Sequence, residues 1–272
     1  RSLRVGRKYQ EKSKTFKTKN SLIMAVNKDK NSYTMIFAII MVLVVGTLLA
    51  GFSSGLKPMI KANEKFEKQQ NILYAMGVND NVGSGDVAFI ATDRVADAFN
   101  TYIKEQLVIE GATSSQNDKA YLIDVKKEGA KAKKAGYQRK LPLFIGEKDG
   151  KKLYIMPVRG KGLWDAIWGF VAVDKSMTVQ GVYFDHKGET PGLGAEIKQR
   201  YFMDDFIGEK LLEGTTYKGI KVAKGNNDPK NMIKDDYEVD ALAGATITGD
   251  GVSAMLKKDI AMYVPYFKTI NN

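Results

Sequence analysis

A run of small residues and hydroxyls, DALAGATITG, occupies residues 240–249, between a predicted strand and a predicted helix. Small residues such as Gly244 and Ala245 let a ligand approach the backbone closely. The free amides and positive dipole of a helix N-terminus favour a phosphate there, and the hydroxyl of Thr246 or Thr248 can hydrogen-bond that phosphate or be esterified to it. The alternative is that one threonine caps the helix while Gly244 serves a turn. The residue pattern alone leaves both interpretations open.

A second stretch, HKGETPGLG, occupies residues 186–194 and also joins a predicted strand to a predicted helix. Pro191 and three glycines impose an unusual backbone path, whose amides can cradle an anion or lie along a flat ring. The alternative is an ordinary loop in which Glu189 or Thr190 caps the next helix. His186 is the single histidine of the chain and has no second ligand at metal-binding spacing, so we expect it to support the loop and predict no metal site.

A third stretch, RGKGLW at residues 159–164, places two glycines before Trp164 at the end of a predicted hairpin. Closing the core is the common fate of a tryptophan. The alternative is that Trp164 leans on a bound ring.

Composition limits which chemistry these stretches can perform. The chain has 272 residues, of which 44% are apolar or aromatic, enough to bury a core in one domain or two. It has no cysteine, which excludes disulfides, thiolate zinc sites and iron–sulfur clusters ligated by this chain. Redox chemistry would therefore require an organic cofactor.

The charge of +11 is concentrated near the N-terminus. Residues 1–34 contain ten Lys or Arg but only two acidic residues, Glu11 and Asp29. The remainder is close to neutral, interleaves its lysines with acids and has no arginine-rich stripe. We therefore expect no nucleic-acid partner.

Residues 33–52 form an uncharged run of twenty residues, the length that spans a bilayer as a helix. This run is longer than the apolar core of a signal peptide, roughly 7 to 15 residues, so we predict a retained anchor. The basic N-terminal flank predicts a cytoplasmic N-terminus, with everything after Gly55 outside. Met24 is a candidate translation start, and Lys28 and Lys30 would preserve this orientation without residues 1–23.

The remaining periodicity predicts an α+β fold with a largely antiparallel sheet. We expect helices over residues 57–78, 95–108, 193–203 and 249–263. Strands are expected over residues 141–145, 153–158, 167–173, 178–184, 217–223 and 237–241. Asp149-Gly150 between the first two strands is a strong hairpin signal.

The three stretches, in their order along the chain behind one anchor, resemble the C subunits of the sodium-pumping NADH:quinone oxidoreductase, from about Val26 to the C-terminal helix. The family's pattern is Asp, two residues, Ser or Thr, then Gly-Ala-Thr, and its last threonine falls on Thr246. The Glu-Thr-Pro-Gly-Leu-Gly loop at residues 189–194 strengthens the match. One departure is Ala243, which stands where the family usually has Ser or Thr, and which could reduce modification of Thr246.

The resemblance implies an FMN-binding domain outside the cytoplasmic membrane, with FMN joined to Thr246 as a phosphoester by a flavin transferase. Thr248 is the alternative attachment site. The residues expected around the phosphate are Gly244, Ala245 and Thr248, and those expected near the isoalloxazine are Thr190, Gly192, Leu193 and Trp164. Glu189 completes the implied cofactor-binding set, with a supporting role in the loop that it shares with His186. No residue is assigned a catalytic role.

By the same resemblance the chain is an electron relay, while its partners in the complex oxidise NADH, reduce ubiquinone and move sodium. The implied divisions are a basic cytoplasmic segment (1–32), a transmembrane helix (33–52), a juxtamembrane and helical region (53–130) and the FMN-binding domain (131–272). The implied partners are the other subunits, the flavin transferase and the lipid bilayer of the inner membrane. Two alternatives remain: the G subunit of the Rnf complex, which shares both motifs, and a cofactor-free, membrane-anchored assembly or binding protein.

Overall fold

The computed structural model describes residues 31–83, 85–225, 228 and 230–271. The predicted cytoplasmic segment therefore lies almost entirely outside the described residues. The chain divides into two units, Arg1–Lys57 and Pro58–Asn272.

The first helix, α1, runs from Asn31 to Ala75 and contains the predicted span. Among the described residues it is the one helix with the length and composition needed to cross a membrane. Apolar side chains along its N-terminal part are exposed, as at Val42 (71%) and Phe52 (66%). So long an apolar surface requires a covering such as lipid. A helix is thus confirmed both for the span and for most of the juxtamembrane segment.

Helix α1 ends at Ala75, three residues before the predicted end, and a Schellman motif at Gly77 follows it. Gly77 has a φ of +74°, which a glycine adopts without strain. The amide of Val78 donates to the carbonyl oxygen of Leu73 at 2.9 Å, which satisfies a carbonyl group at the helix end.

A six-stranded antiparallel sheet organises the Pro58–Asn272 unit, in the strand order β2-β1-β3-β4-β5-β6. Its strands are β1 (Ile103–Glu110), β2 (Thr113–Gln116), β3 (Leu141–Lys148), β4 (Lys151–Lys161), β5 (Ala166–Val173) and β6 (Val179–His186). The shorter strands are β7 (Leu212–Glu213), β8 (Thr216–Tyr217), β9 (Lys221–Ala223) and β10 (Glu238–Asp240). Strands β7 and β8 pair antiparallel, whereas β9 and β10 pair parallel. The predicted α+β class with a largely antiparallel sheet is confirmed.

The other helices lie before, between and after these strands. They are α2 (Val95–Tyr102), α3 (Val125–Lys131), α4 (Arg200–Asp204), α5 (Thr246–Ala261) and α6 (Val264–Asn271), with short 3-10 helices at Ala120–Leu122 and Gly194–Lys198. The β3–β4 hairpin turns at Asp149-Gly150, as predicted. Both residues have positive φ, 52° and 72°, and this suits the twist of the two strands.

Three predicted elements are corrected. The helix predicted over residues 95–108 ends at Tyr102, because Ile103–Glu110 pairs with both β2 and β3 as a strand. The helix predicted over residues 193–203 is broken at Gln199, whose backbone is extended, with φ −82° and ψ 148°. The strand predicted over residues 217–223 is split by Gly219, which has a φ of +79°.

Close packing against the sheet places the N-terminal end of α5 near the end of β4. A Cβ on Gly160 of β4 would lie 2.8 Å from Cβ of Met255, and one on Gly251 of α5 would lie 2.3 Å from the carbonyl oxygen of Lys161. Both positions therefore require glycine for α5 to approach this closely. The last turn of α1 packs on the opposite sheet face, where a Cβ on Gly181 would lie 2.4 Å from the carbonyl oxygen of Ala75.

Candidate functional site

The three stretches identified in the sequence meet around a cavity of about 220 Å³, which we call the α5 cavity. One stretch follows β4, another follows β6, and the remaining one leads into α5. The lining residues are Leu163, Glu189, Thr190, Leu193, Gly194, Gly244, Ala245, Thr246, Ile247 and Thr248. Segments distant in sequence thus form one site.

Helix α5 begins at Thr246, three residues earlier than predicted. The residue at its N-cap position is Ala245, and no side chain of the described residues caps the helix. The alternative that Thr246 or Thr248 is the N-cap is therefore wrong. The first amides of a helix have no acceptor within it, so these donors and the helix dipole favour an anion at this end.

The carboxylate of Glu189 connects the three segments. Glu189 is 4% exposed, and its Oε2 accepts a hydrogen bond from the Thr248 hydroxyl at 2.6 Å. Its two oxygens also accept from the backbone amides of Leu163 (3.3 Å), Trp164 (2.9 Å) and Asp165 (3.4 Å). Burial alone would raise the pKa of Glu189, but these hydrogen bonds outweigh burial and hold the pKa below its usual range. The buried carboxylate is therefore charged at neutral pH.

Two glycines make room for this carboxylate. A Cβ on Gly162 would lie 2.6 Å from Oε1 of Glu189. A Cβ on Gly194 would lie 2.6 Å from Oε2 of Glu189 and 2.4 Å from the Thr248 hydroxyl. Each distance is shorter than any ordinary carbon–oxygen contact, so these positions exclude larger residues.

The loop after β6 is fixed mainly by backbone hydrogen bonds. The amide of Glu189 donates to Nδ1 of His186 at 3.2 Å, and the amides of Leu193 and Ala195 each donate to the carbonyl oxygen of Thr190 at 3.1 Å. The following 3-10 helix has Leu193 at its N-cap position and no side-chain cap. The alternative that Glu189 or Thr190 caps this helix is therefore wrong.

Trp164 lies on the surface beside the cavity and is 67% exposed, so the alternative that it closes the core is wrong. Its indole Nε1 donates to the Thr190 hydroxyl at 3.2 Å. The lining residues Leu163 (45%), Leu193 (41%) and Ile247 (57%) are also exposed. The mouth of the cavity is thus apolar, which suits a flat aromatic ligand.

Most of the predicted site residues line the cavity. Some predicted residues lie next to the cavity instead, and some lining residues were not among those predicted. Gly192 and Trp164 lie on the lining segments without lining the cavity, whereas Leu163, Gly194 and Ile247 line it without having been predicted. Leu163, Gly194 and Ile247 are each adjacent in sequence to a predicted site residue. That adjacency is the only feature of the sequence that could have indicated them.

No lysine or arginine of the described part of the chain lines the cavity. An anion there would be held by backbone amides and hydroxyls. Among the described residues, no group of three or more histidine, aspartate or glutamate side chains is arranged to hold a metal ion.

Residues 162–261 match the family model described as FMN-binding domain, an interval that contains residues 186–194 and 240–249 in full and residues 162–164 of the remaining stretch. Over 260 residues the chain is 32% identical to the C subunit of the Na(+)-translocating NADH-quinone reductase of Neisseria meningitidis serogroup A, covering 92% of this chain and 98% of that protein. The chain belongs to the family of these C subunits.

A second relative, the corresponding protein from Pseudomonas aeruginosa, is 30% identical over 85% of this chain and 91% of its own length. The crystal structure of the family member from Parabacteroides distasonis superimposes with a TM-score of 0.66, at 32% identity, over 78% of this chain and 96% of that one. The family predicted from the sequence is thus confirmed, and its named members are subunits of an oxidoreductase complex.

Proposed function

We propose that this chain carries FMN as a phosphoester on Thr246 and relays electrons within a sodium-translocating NADH-quinone reductase. The observation that carries the proposal is the position of Thr246, an exposed residue that begins α5 and lines the cavity. A phosphate esterified there would lie at the helix end whose amides and dipole favour an anion. The matched FMN-binding domain model supports the identity of the ligand.

The geometry favours Thr246 over Thr248 as the attachment site. Thr248 is 1% exposed and its hydroxyl is engaged by Glu189, whereas the Thr246 hydroxyl makes no hydrogen bond with the described residues. Ala243 is exposed and lies outside the cavity lining, so its methyl group leaves the cavity unobstructed. A transferase can therefore reach Thr246.

Attachment requires a flavin nucleotide as donor and a transferase. The Thr246 oxygen would form a bond to phosphorus, the bond from phosphorus to the donor's leaving nucleotide would break, and the hydroxyl proton would pass to solvent. The peptide gains FMN minus one water.

When bound, the flavin would supply the ability to accept and donate electrons. The residues of this chain would position it. The first amides of α5, including that of Thr248, would hold the phosphate together with the backbone at Gly244 and Ala245, and the apolar mouth would orient the ring. No side chain is required to transfer a proton.

We further propose that α1 anchors the chain in the inner membrane, with its N-terminus cytoplasmic and the Pro58–Asn272 unit on the periplasmic side. Its support is the exposed apolar surface of α1 and the basic residues before it. The other subunits, the flavin transferase and the bilayer are the partners of this arrangement. The same proposal includes the predicted boundaries between the cytoplasmic segment, the transmembrane helix, the juxtamembrane region and the FMN-binding domain, at residues 32, 52 and 130.

Peptide mass spectrometry of the denatured full chain, expressed with the flavin transferase, tests the attachment. We expect FMN minus water on the peptide that contains Thr246 and its loss in Thr246→Ala. Thr248→Ser keeps the hydroxyl that Glu189 requires, so this control should retain the flavin. An unmodified wild-type peptide would refute the attachment and favour a cofactor-free binding protein, while flavin on Thr248 would refute the assigned residue.

The reaction of the purified complex separates the two flavin-bearing candidates. We expect NADH oxidation coupled to quinone reduction, as the names of the relatives suggest. Oxidation of ferredoxin with NAD would instead support the G subunit of the Rnf complex.

A further inference from the structure

A second, larger concavity lies on the sheet face opposite α5, and we call it the α1 groove. Its volume is about 760 Å³, it is open to solvent, and it shares no lining residue with the α5 cavity. One wall is formed by α1 between residues 61 and 71, the other by residues 120–127, and the floor by strands β3, β4 and β5. The groove lies within the Pro58–Asn272 unit.

The floor of the α1 groove is apolar and aromatic. Its side chains include Pro142, Phe144, Pro157, Trp168 and Phe170. The rings of Phe144 and Phe170 meet edge to face with centroids 6.4 Å apart, which fixes the middle of the floor. Such a floor suits an apolar or aromatic side chain.

The rim of the α1 groove is positively charged. The lining contains six Lys or Arg residues and three Asp or Glu residues. One acid, Asp124, is already engaged, because its side chain accepts from the amides of Lys126 and Lys127 and caps α3. Lys61, Lys65 and Lys126 form no ion pair with the described residues. The rim therefore attracts carboxylates or another anionic group.

Asn71 adds a specific polar contact inside the groove. It is 4% exposed and lines the groove, yet its side-chain amide makes no hydrogen bond with any described residue. Its oxygen and nitrogen atoms are open to solvent in the groove, where an incoming partner can pair with them. A carboxamide offers one donor group and one acceptor, the pair that a peptide backbone can satisfy.

We propose that the α1 groove docks an extended, acidic segment of another subunit of the complex. The segment would place an apolar or aromatic side chain on the floor, carboxylates against the lysine rim, and its backbone against Asn71. An apolar centre with a charged rim is the common anatomy of a protein interface, whereas pockets for small molecules usually enclose most of the ligand. The proposal rests on the proposed function only for the identity of the complex.

Site-specific crosslinking in the assembled complex tests the occupant. A photoreactive amino acid at Lys65 or Lys126 should crosslink, upon irradiation, to one segment of another subunit that contains acidic and apolar residues. The same amino acid at Lys151, an exposed residue outside the groove, should not crosslink to that segment. Crosslinks to lipid or to a small anionic molecule only, or no crosslink at all, would overturn the proposal.

Charge reversal tests whether the contact matters for assembly. The double variant Lys65→Glu/Lys126→Glu should lower the yield of copurified subunits at least about tenfold, because like charges across an interface repel. The exposed pair Lys151→Glu/Lys175→Glu is the matched control and should copurify normally. Asn71→Leu, which removes the amide at similar volume, should also weaken association without destabilising the isolated chain. Unchanged copurification in both groove variants would contradict docking.

The mass of the Thr246 peptide is read in the same samples. Loss of subunits with normal flavin attachment supports the docking proposal independently of the α5 cavity. An unmodified Thr246 in a complex that still assembles through the groove would refute the proposed function and leave docking in place.

Discussion

The hydroxyl of Thr248 donates a 2.6 Å hydrogen bond to Oε2 of Glu189, joining the first turn of α5 to the loop after β6. The two residues are 59 positions apart in the sequence. Since the same carboxylate also accepts backbone amides from the segment after β4, one charged group fixes all three segments around the cavity. The geometry of Thr246, two residues before Thr248, therefore depends on Glu189.

Replacing Glu189 by glutamine should destabilise the protein by about 1–3 kcal/mol, because the amide group turns a donor toward backbone donors and leaves buried groups unpaired. Thermal unfolding of the full chain in detergent should show a Tm lower by several degrees, at about 2–4 °C per kcal/mol. Glu147→Gln changes an exposed glutamate that forms no ion pair with the described residues, and it is the control. Equal Tm values for the two variants would contradict the role of Glu189.

The pH dependence of this effect has a defined sign. The pKa of Glu189 is lowered in the folded state, so its contribution to stability is present above the unfolded value of 4.5 and is lost as the pH falls through the lower folded value. The Tm gap between wild type and Glu189→Gln should therefore be largest at neutral pH and should narrow below pH 4.5. A gap that widens in acid would contradict this assignment.

Gly194→Ala should disrupt the hydrogen bond between Glu189 and Thr248, because Gly194 lies against both side chains. Its Cβ would lie within 2.6 Å of both the Thr248 hydroxyl and Glu189, so one of these groups must move. We expect a lower Tm and less flavin on Thr246, measured as the modified fraction of its peptide. Gly188→Ala is the matched control, since its nearest neighbour would be Cβ of Asp165 at 3.9 Å. Similar modification of both variants would show that the network tolerates the displacement.

Local chemistry explains which parts of the fold could be predicted. The Asp149-Gly150 hairpin could be predicted because its turn depends on residues adjacent in the chain. For the same reason, the small residues before α5 indicate where a helix begins. The sequence predicts a helix where strand β1 lies, because residues four apart, such as Ile103 and Leu107, share a face in either structure. Pairing with β2 and β3 decided the outcome, and no local pattern encodes it.

The candidate site shows the same limit. Its three stretches were recognisable from glycines, prolines and hydroxyls, but their meeting through Glu189 depends on contacts between distant segments. Trp164 could equally have been a core residue, because sequence gives its size and not its exposure. The sequence does not indicate the α1 groove. Its floor residues lie on one face of strands whose other face is also buried, so no alternation of apolar and polar residues distinguishes them.

Trp164→Leu should raise the fluorescence of bound flavin several-fold while leaving attachment to Thr246 intact. The reason is that an exposed indole at the cavity mouth can stack on the ring and quench it, whereas leucine cannot. Trp168→Leu is the matched control: it changes the other tryptophan, which lies in the α1 groove. Emission per attached flavin, normalised by peptide mass spectrometry, is the measurement. Equal emission from both variants would place the ring away from Trp164.

Glu209 should make the protein less stable as the pH rises. Its side chain is fully buried, with Nζ of Lys234 3.4 Å from Oε1. Burial raises the pKa of Glu209 to about 7, although Lys234 acts to lower it. Between the unfolded value of 4.5 and 7, the unfolded chain releases a proton that the folded chain keeps, so the free energy of unfolding falls with pH in this window and then levels off.

Glu209→Gln should remove this slope, because the amide does not ionise. At pH 8 we expect the variant to be more stable than wild type by at most about 3 kcal/mol, and at pH 4.5 the two should differ little. Denaturant unfolding of the full chain at pH 4.5, 6 and 8 measures the difference, with Glu147→Gln, at an exposed glutamate, as the control. A variant that is less stable than wild type at pH 8 would mean that the ion pair with Lys234 outweighs the burial of the carboxylate.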